Sequence, residues 1–355
     1  MRRAVAVLVA LLVLGGCTDD LPDDPAPAET TPPPTVSPPA EETPTEAPSE
    51  APSEAPSETP PEALPPVNRP LSLPALMREE PSGGDVRVLR TELQNEAYTR
   101  QQVEYRSGDH TVSGVLLRPR GRGPFPAVVL NHGYIEPEIY VTGQGLAREQ
   151  DALARAGFVV LHTDYSGHAT SDPVRPLERE TRLAYTRDSA NAVRALESLR
   201  YVDAERIGML GRSMGGGVTM NVLAAYPGLV DAAISWSSVS SDLVENIRHF
   251  TEPGRHDAAQ DLYDRLGTPE EAPDVYAELS ARTYFDRITE PVLVHHATTD
   301  ETCPFPWARD TERLMKGAGV DSRLFVYEGE AHAFGPQWQL AMDRTIRFLR
   351  EHLEG

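Results

Sequence analysis

Ile207-Gly208-Met209-Leu210-Gly211-Arg212-Ser213-Met214-Gly215-Gly216-Gly217-Val218-Thr219-Met220-Asn221 is the segment on which the fold turns. A short apolar run leads into Gly-x-Ser-x-Gly, and a helix-forming stretch to Tyr226 follows at once. The spacing predicts strand, sharp turn, helix. Such a turn holds the serine in a strained backbone conformation that lifts its hydroxyl out of the sheet, and glycine on both flanks lets neighbouring chain pass closely. The alternative is a glycine-rich turn whose serine caps the helix.

Working outward, the same alternation recurs. Val103 to Tyr105 and Val112 to Leu117, joined by Arg106-Ser107-Gly108-Asp109, read as an antiparallel hairpin at a sheet edge. Ala127 to Asn131, Phe158 to His162, Arg206 to Leu210, Ala232 to Ser235, Pro291 to His296 and Arg323 to Tyr327 read as buried strands. Helical patterns fall at Gly145 to Ala156, Arg182 to Leu199, Trp307 to Lys316 and Gln337 to Leu353. This pattern predicts an α/β fold with a mostly parallel central sheet, helices on both faces and an antiparallel N-terminal edge. A polar, helix-rich insertion at about 237–286, entered at Trp236, is expected to cap a pocket, and its acidic character weakly disfavours anionic substrates.

In a sheet of this kind, chemistry gathers in loops after the strand C-termini. Ser213 is in one such loop, Asp300 in a second and His332 in a third, the chain order of an α/β-hydrolase. A serine hydroxyl is a weak nucleophile at neutral pH. His332 is therefore expected to take its proton, with Asp300 fixing the imidazole tautomer; Glu301 is the rival for the acid. A fourth loop, Asn131-His132-Gly133-Tyr134, suits an oxyanion hole, with one backbone N–H from Met214 and a second from Tyr134. Tyr134 could instead use its phenol or simply line the pocket.

His295 and His296 are adjacent on a strand and point to opposite faces, so they cannot chelate one metal together and no metal is expected. His168 is expected at the site rim, and Cys303 as a small buried residue.

Together, Asn131-His132-Gly133-Tyr134, Gly211 to Gly216, Asp300 followed by Pro304, and Gly329-Glu330-Ala331-His332-Ala333-Phe334 resemble the catalytic domain of the prolyl oligopeptidase family and its dienelactone hydrolase-like relatives. The likeness covers about Val103 to Leu353. It implies serine peptidase or carboxylesterase chemistry without a cofactor. Large peptidases of this family carry a β-propeller ahead of the hydrolase domain, whereas here a stalk and a short lead-in occupy that place. Esterase action on small or medium acyl esters is therefore expected ahead of cleavage of short peptides. A surface protein that binds a ligand on this fold without turnover is the other class.

The formal net charge of the 355 residues is -21. Much of it sits between Asp19 and Glu62, where Lys and Arg are absent. The remaining domain mixes both signs, which argues against nucleic acid as a partner. Met1-Arg2-Arg3, the apolar Ala4 to Leu14, and Leu14-Gly15-Gly16-Cys17 read as an export signal ending in a bacterial lipobox, with residues 1–17 as leader and Cys17 lipidated. The expected location is the outer face of the bacterial cell membrane, or the medium if the leader is an ordinary secretory one. Residues 18–74, with Glu-Ala-Pro-Ser repeats, lack the apolar surface to fold and read as a disordered, extended spacer on the order of 100 Å long at about 3.1 Å per residue. The hydrolase domain is expected over 75–355.

Overall fold

The computed structural model describes residues 63–354. The leader, Cys17 and the spacer up to residue 62 lie outside the described residues.

Packed chain begins before the expected boundary at residue 75. Asn68 donates to Glu278 at 2.7 Å. Ser72 caps a one-turn helix, Leu73–Leu76, by accepting from the Ala75 amide at 3.2 Å. Leu73, Pro74 and Leu76 are buried. These apolar residues gain more by burial than the surrounding proline-rich composition suggests, at ~2 kcal/mol for each buried leucine.

Nine strands form one sheet: β1 (Gly83–Gln94), β2 (Tyr98–Ser107), β3 (His110–Pro119), β4 (Phe125–Asn131), β5 (Val159–Thr163), β6 (Val202–Arg212), β7 (Ala232–Trp236), β8 (Val292–Ala297) and β9 (Ser322–Tyr327). Their order is β1-β2-β3-β5-β4-β6-β7-β8-β9. The pairs from β1 through β3 to β5 are antiparallel, and every pair from β5 through β4 to β9 is parallel.

Alternation along the strands feeds two cores, because successive side chains point to opposite faces. Val129, Met209, Ala233 and Val294 pack with α2 (Leu183–Glu197) and α3 (Met214–Ala225). Val128, Leu130, Leu210, Ile234 and Leu293 pack with α1 (Ala147–Arg155) and α6 (Trp338–Leu353). Between them in sequence, α4 (His256–Leu266) belongs to the insertion and α5 (Phe305–Gly317) joins β8 to β9. This is the α/β-hydrolase architecture the alternation predicts.

Strand β4 lies between β5 and β6, so the chain leaves it toward one side of the sheet and later returns to the other. That reversal opens a crevice beyond the carboxyl ends of β4 and β6. Asn131 pairs with Gly211 and Arg212 with Trp236, which brings the loop at 132–134 beside the turn at Ser213.

Candidate active site

Ser213 has φ 56° and ψ -123°, a conformation that non-glycine residues rarely hold, and it stands between β6 and α3. Its neighbours show why the flanks are glycine. A Cβ on Gly211 would stand 2.0 Å from the Gly215 carbonyl oxygen, and one on Gly215 would stand 2.0 Å from the Asn131 carbonyl oxygen. The turn can pack against β4 only without those side chains. Backbone strain of this kind persists where the surroundings over-determine it, commonly at functional sites.

His332 follows β9. Its Nδ1 lies 2.9 Å from both carboxylate oxygens of Asp300. The Asp300 side chain is fully buried and also accepts from the amides of Thr302 at 3.0 Å and Cys303 at 2.7 Å. Burial alone would raise the Asp300 pKa, yet the His332 hydrogen bond and the two amides hold it below its ordinary value. Glu301 meets His332 only at the backbone, accepting its amide at 3.0 Å. Asp300 is thus the carboxylate at the imidazole.

Ser213 and His332 line the same cavity, of about 640 Å³. No hydrogen bond joins them; the polar contact of the Ser213 hydroxyl is Cys303 Sγ at 4.0 Å. Cys303 is buried, and burial pushes its thiol pKa up. Its carbonyl faces His296 Nε2 at 2.9 Å, while His295 Nδ1 faces the Tyr327 hydroxyl at 2.7 Å, so the adjacent histidines diverge as expected.

The main-chain amides of Met214 and Tyr134 have no acceptor among the described residues. Gly133 packs so tightly on the nucleophile turn that a Cβ there would lie 3.1 Å from that of Ser213. The Tyr134 phenol donates to Glu136 at 2.6 Å, and burial and that carboxylate push its pKa up to about 12. His168, expected at the rim, is instead buried against His132, Tyr140, Tyr165 and Tyr185. The aromatic cluster gives the ring more contact than the solvent edge would.

Several site residues were not visible as such in the sequence. Arg212 donates to the His332 carbonyl at 2.7 Å and pairs with buried Glu149 at 3.4 Å, which also accepts from Trp338 at 2.8 Å. Glu180, Arg182 and Arg255 line the cavity. The insertion covers it with residues from Val239 to Arg255 and from Leu279 to Ala281. Their distance in sequence hid them; the arginine inside the serine motif was the one available signal.

A strained serine, a histidine held by a buried carboxylate and two unpaired amides at the edge of this sheet define a serine hydrolase of the α/β-hydrolase fold. Residues 145–355, more than half of the chain, match the model of the prolyl oligopeptidase family, and the chain belongs to that family. It is 24% identical over 269 residues to the acylamino-acid-releasing enzyme of Mus musculus, covering 71% of this chain and 35% of that enzyme. It thus spans about a third of the mouse enzyme's length. A compact relative is the uncharacterized peptidase YtmA of Bacillus subtilis (strain 168), 26% identical over 66% of this chain and 86% of that protein. The acetyl xylan esterase from Paenibacillus sp. R4 shares the fold with a TM-score of 0.58 at 19% identity, over 78% of this chain and 91% of the esterase.

Proposed function

We propose that the protein is a carboxylesterase acting on small or medium acyl esters through a covalent acyl-enzyme on Ser213. The observation that carries the reading is the Asp300 carboxylate at 2.9 Å from His332 Nδ1, with Ser213 in the same cavity. Asp300 fixes the proton on Nδ1 and leaves Nε2 as the base. For attack, the Ser213 hydroxyl leaves Cys303 and donates to Nε2, and its oxygen adds to the acyl carbon. The amides of Met214 and Tyr134 receive the oxyanion, a pair of donors worth a few kcal/mol of barrier. His332 then gives its proton to the departing alkoxide. Water, deprotonated by the same nitrogen, releases the acid and frees Ser213.

The preference for esters is supported by a cavity walled in part by the chain's own insertion and by the extent of overlap with the esterase. The second reading is cleavage of short peptides, which the family and the compact Bacillus relative support. Comparing turnover of 4-nitrophenyl acyl esters with aminoacyl and prolyl anilides decides between them, and faster anilide cleavage selects the peptidase. A fluorophosphonate probe that labels the folded protein but not Ser213→Ala tests the nucleophile, and equal labelling of both removes it.

Export and lipid attachment at Cys17 are part of the proposal and rest on the leader sequence alone. Palmitate labelling of the protein but not of Cys17→Ser is the expected result.

A further inference from the structure

The cavity that holds Ser213 is lined by three arginines: Arg182, Arg212 and Arg255. Arg212 is paired with Glu149. Arg255 reaches Glu180 at 2.7 Å, and Arg179 reaches the same Glu180 oxygen at 3.2 Å. Two guanidiniums already share that one carboxylate. Arg182 has no carboxylate within ion-pair distance among the described residues; its charge helps hold the Glu180 pKa down from outside that distance, and its guanidinium donates to the Arg179 carbonyl at 2.8 Å.

Two features mark its placement as unfavourable for stability alone. Arg182 caps α2 with φ 64°, a left-handed conformation. It also sets a cation at the positive end of a helix dipole, with no acidic residue in the first turn to compensate. Its guanidinium stands 5.9 Å from the Tyr134 ring centroid, and that of Arg255 stands 5.1 Å from the same ring. The acidic insertion offers no counter-charge here: its lining residues from Val239 to Ala281 include no Asp or Glu, and Arg255 is among them. The insertion's carboxylates do not line the cavity, so its acidic composition supplies no local reason to disfavour anionic substrates. Glu136, the cavity's other carboxylate, is taken by the Tyr134 hydroxyl.

We propose that Arg182 recognises a carboxylate on the acyl part of the substrate, so that the preferred substrates are half-esters of dicarboxylic acids or acyl groups of similar charge. The acyl side is favoured because Arg182 shares the cavity with Met214, Gly217 and Asn221 on the first turns after Ser213, and the acyl group is what remains there once the alcohol has left. This inference rests on the acyl-enzyme reading above.

The test compares 4-nitrophenyl hydrogen glutarate with neutral 4-nitrophenyl pentanoate and cationic 4-nitrophenyl 5-aminopentanoate, each corrected by the Ser213→Ala background. The wild type is expected to favour the glutarate over the pentanoate by about tenfold or more in kcat/KM. That ratio should collapse toward one in Arg182→Gln and be partly kept in Arg182→Lys, with melting curves checking the fold of each. A wild-type preference for the neutral ester, or a ratio unchanged in Arg182→Gln, overturns the proposal. So does preference for the ammonium ester, which would assign the reading to Glu180, whose second oxygen is buried without a partner. Calorimetry of monomethyl glutarate with Ser213→Ala separates the two levels. If no ester is turned over, the hydrolase reading falls, and binding that is lost in Ser213→Ala/Arg182→Gln still decides the carboxylate site; absence of binding in the parent removes it.

Discussion

Arg212, the residue before the serine, donates to the main-chain carbonyl of His332 at 2.7 Å and so ties the nucleophile turn to the histidine loop across 120 positions of sequence. Burial lowers its pKa, and Glu149 partly restores it. Arg212→Met should reduce kcat by about 10- to 100-fold with a smaller change in KM, since a histidine loop displaced by even ~1 Å loses alignment. It should also cost about 3 kcal/mol of stability, because Glu149 is left buried with Trp338 as its remaining partner. Steady-state kinetics and urea denaturation check both, and an unchanged kcat would deny the tie its positioning role.

Asp300→Asn keeps an acceptor for the Thr302 and Cys303 amides but turns an NH2 toward His332 Nδ1. The imidazole would then carry its proton on Nε2, where it cannot serve as base. The expected loss in kcat is on the order of 10⁴, with little change in melting temperature. Glu301→Gln, whose contact is the His332 amide, should lose less than about tenfold. A reversed order of the two losses would make Glu301 the acid.

Gly215 and Gly217 are two residues apart and should respond differently to alanine. At Gly215 the new methyl meets the Asn131 carbonyl oxygen at 2.0 Å, so the turn must move, at about 3 kcal/mol or more. At Gly217 it meets only the end of the Val239 side chain, at 2.7 Å, on the cavity wall. There stability should change by under about 1 kcal/mol, while KM rises for longer acyl chains. Thermal melts and an acyl-length series distinguish the cases.

Tyr134→Phe tests which part of Tyr134 acts. The phenol is committed to Glu136, so losing it should change kcat less than about threefold if the backbone amide is the oxyanion donor. A phenol in that role would instead cost about 10²- to 10³-fold.

Acid should destabilise the fold before carboxylates dominate. Burial, reinforced by neighbouring His168, lowers the His132 pKa to about 4, and burial likewise lowers His162 and His168. Their folded pKa values lie below the unfolded value near 6.5, so their stabilising contribution is complete above that pH and is lost as pH falls through the folded values. For His132 alone this amounts to ~3 kcal/mol by pH 4. Asp164 and Asp188, raised by burial, bind protons more readily when folded and oppose the trend in the carboxylate range. The melting temperature should therefore fall between about pH 6.5 and 5, and less steeply in His168→Asn. A flat profile across that window would contradict neutral burial of the three histidines.

How much was legible can be followed along the sheet. Strands β4, β5, β7 and β8 and the second half of β6 announce themselves because burial on both faces makes each a short apolar run, whereas β9, with Arg323 and Val326 exposed, is legible from its central Leu324-Phe325-Val326. Strand β1 is not, because Val88, Leu89 and Leu93 are exposed and no buried face imposes an alternation on Gly83–Gln94. The one-turn helix at Leu73–Leu76 is too short for periodicity and is held by burial against α2 and α3.

The sequence by itself determined the parallel sheet, the strained serine between glycines, and the chain order of serine, carboxylate and histidine, since each follows from local pattern and backbone sterics. Only the tertiary structure decided that Asp300 rather than Glu301 meets the imidazole, that Arg212 braces it, and that Arg182 lines the cavity with no direct ion pair among the described residues. Those are relations between side chains brought together by strand order and by the insertion folding over the crevice, and electrostatic partnership over such distances in the chain leaves no periodic trace in sequence.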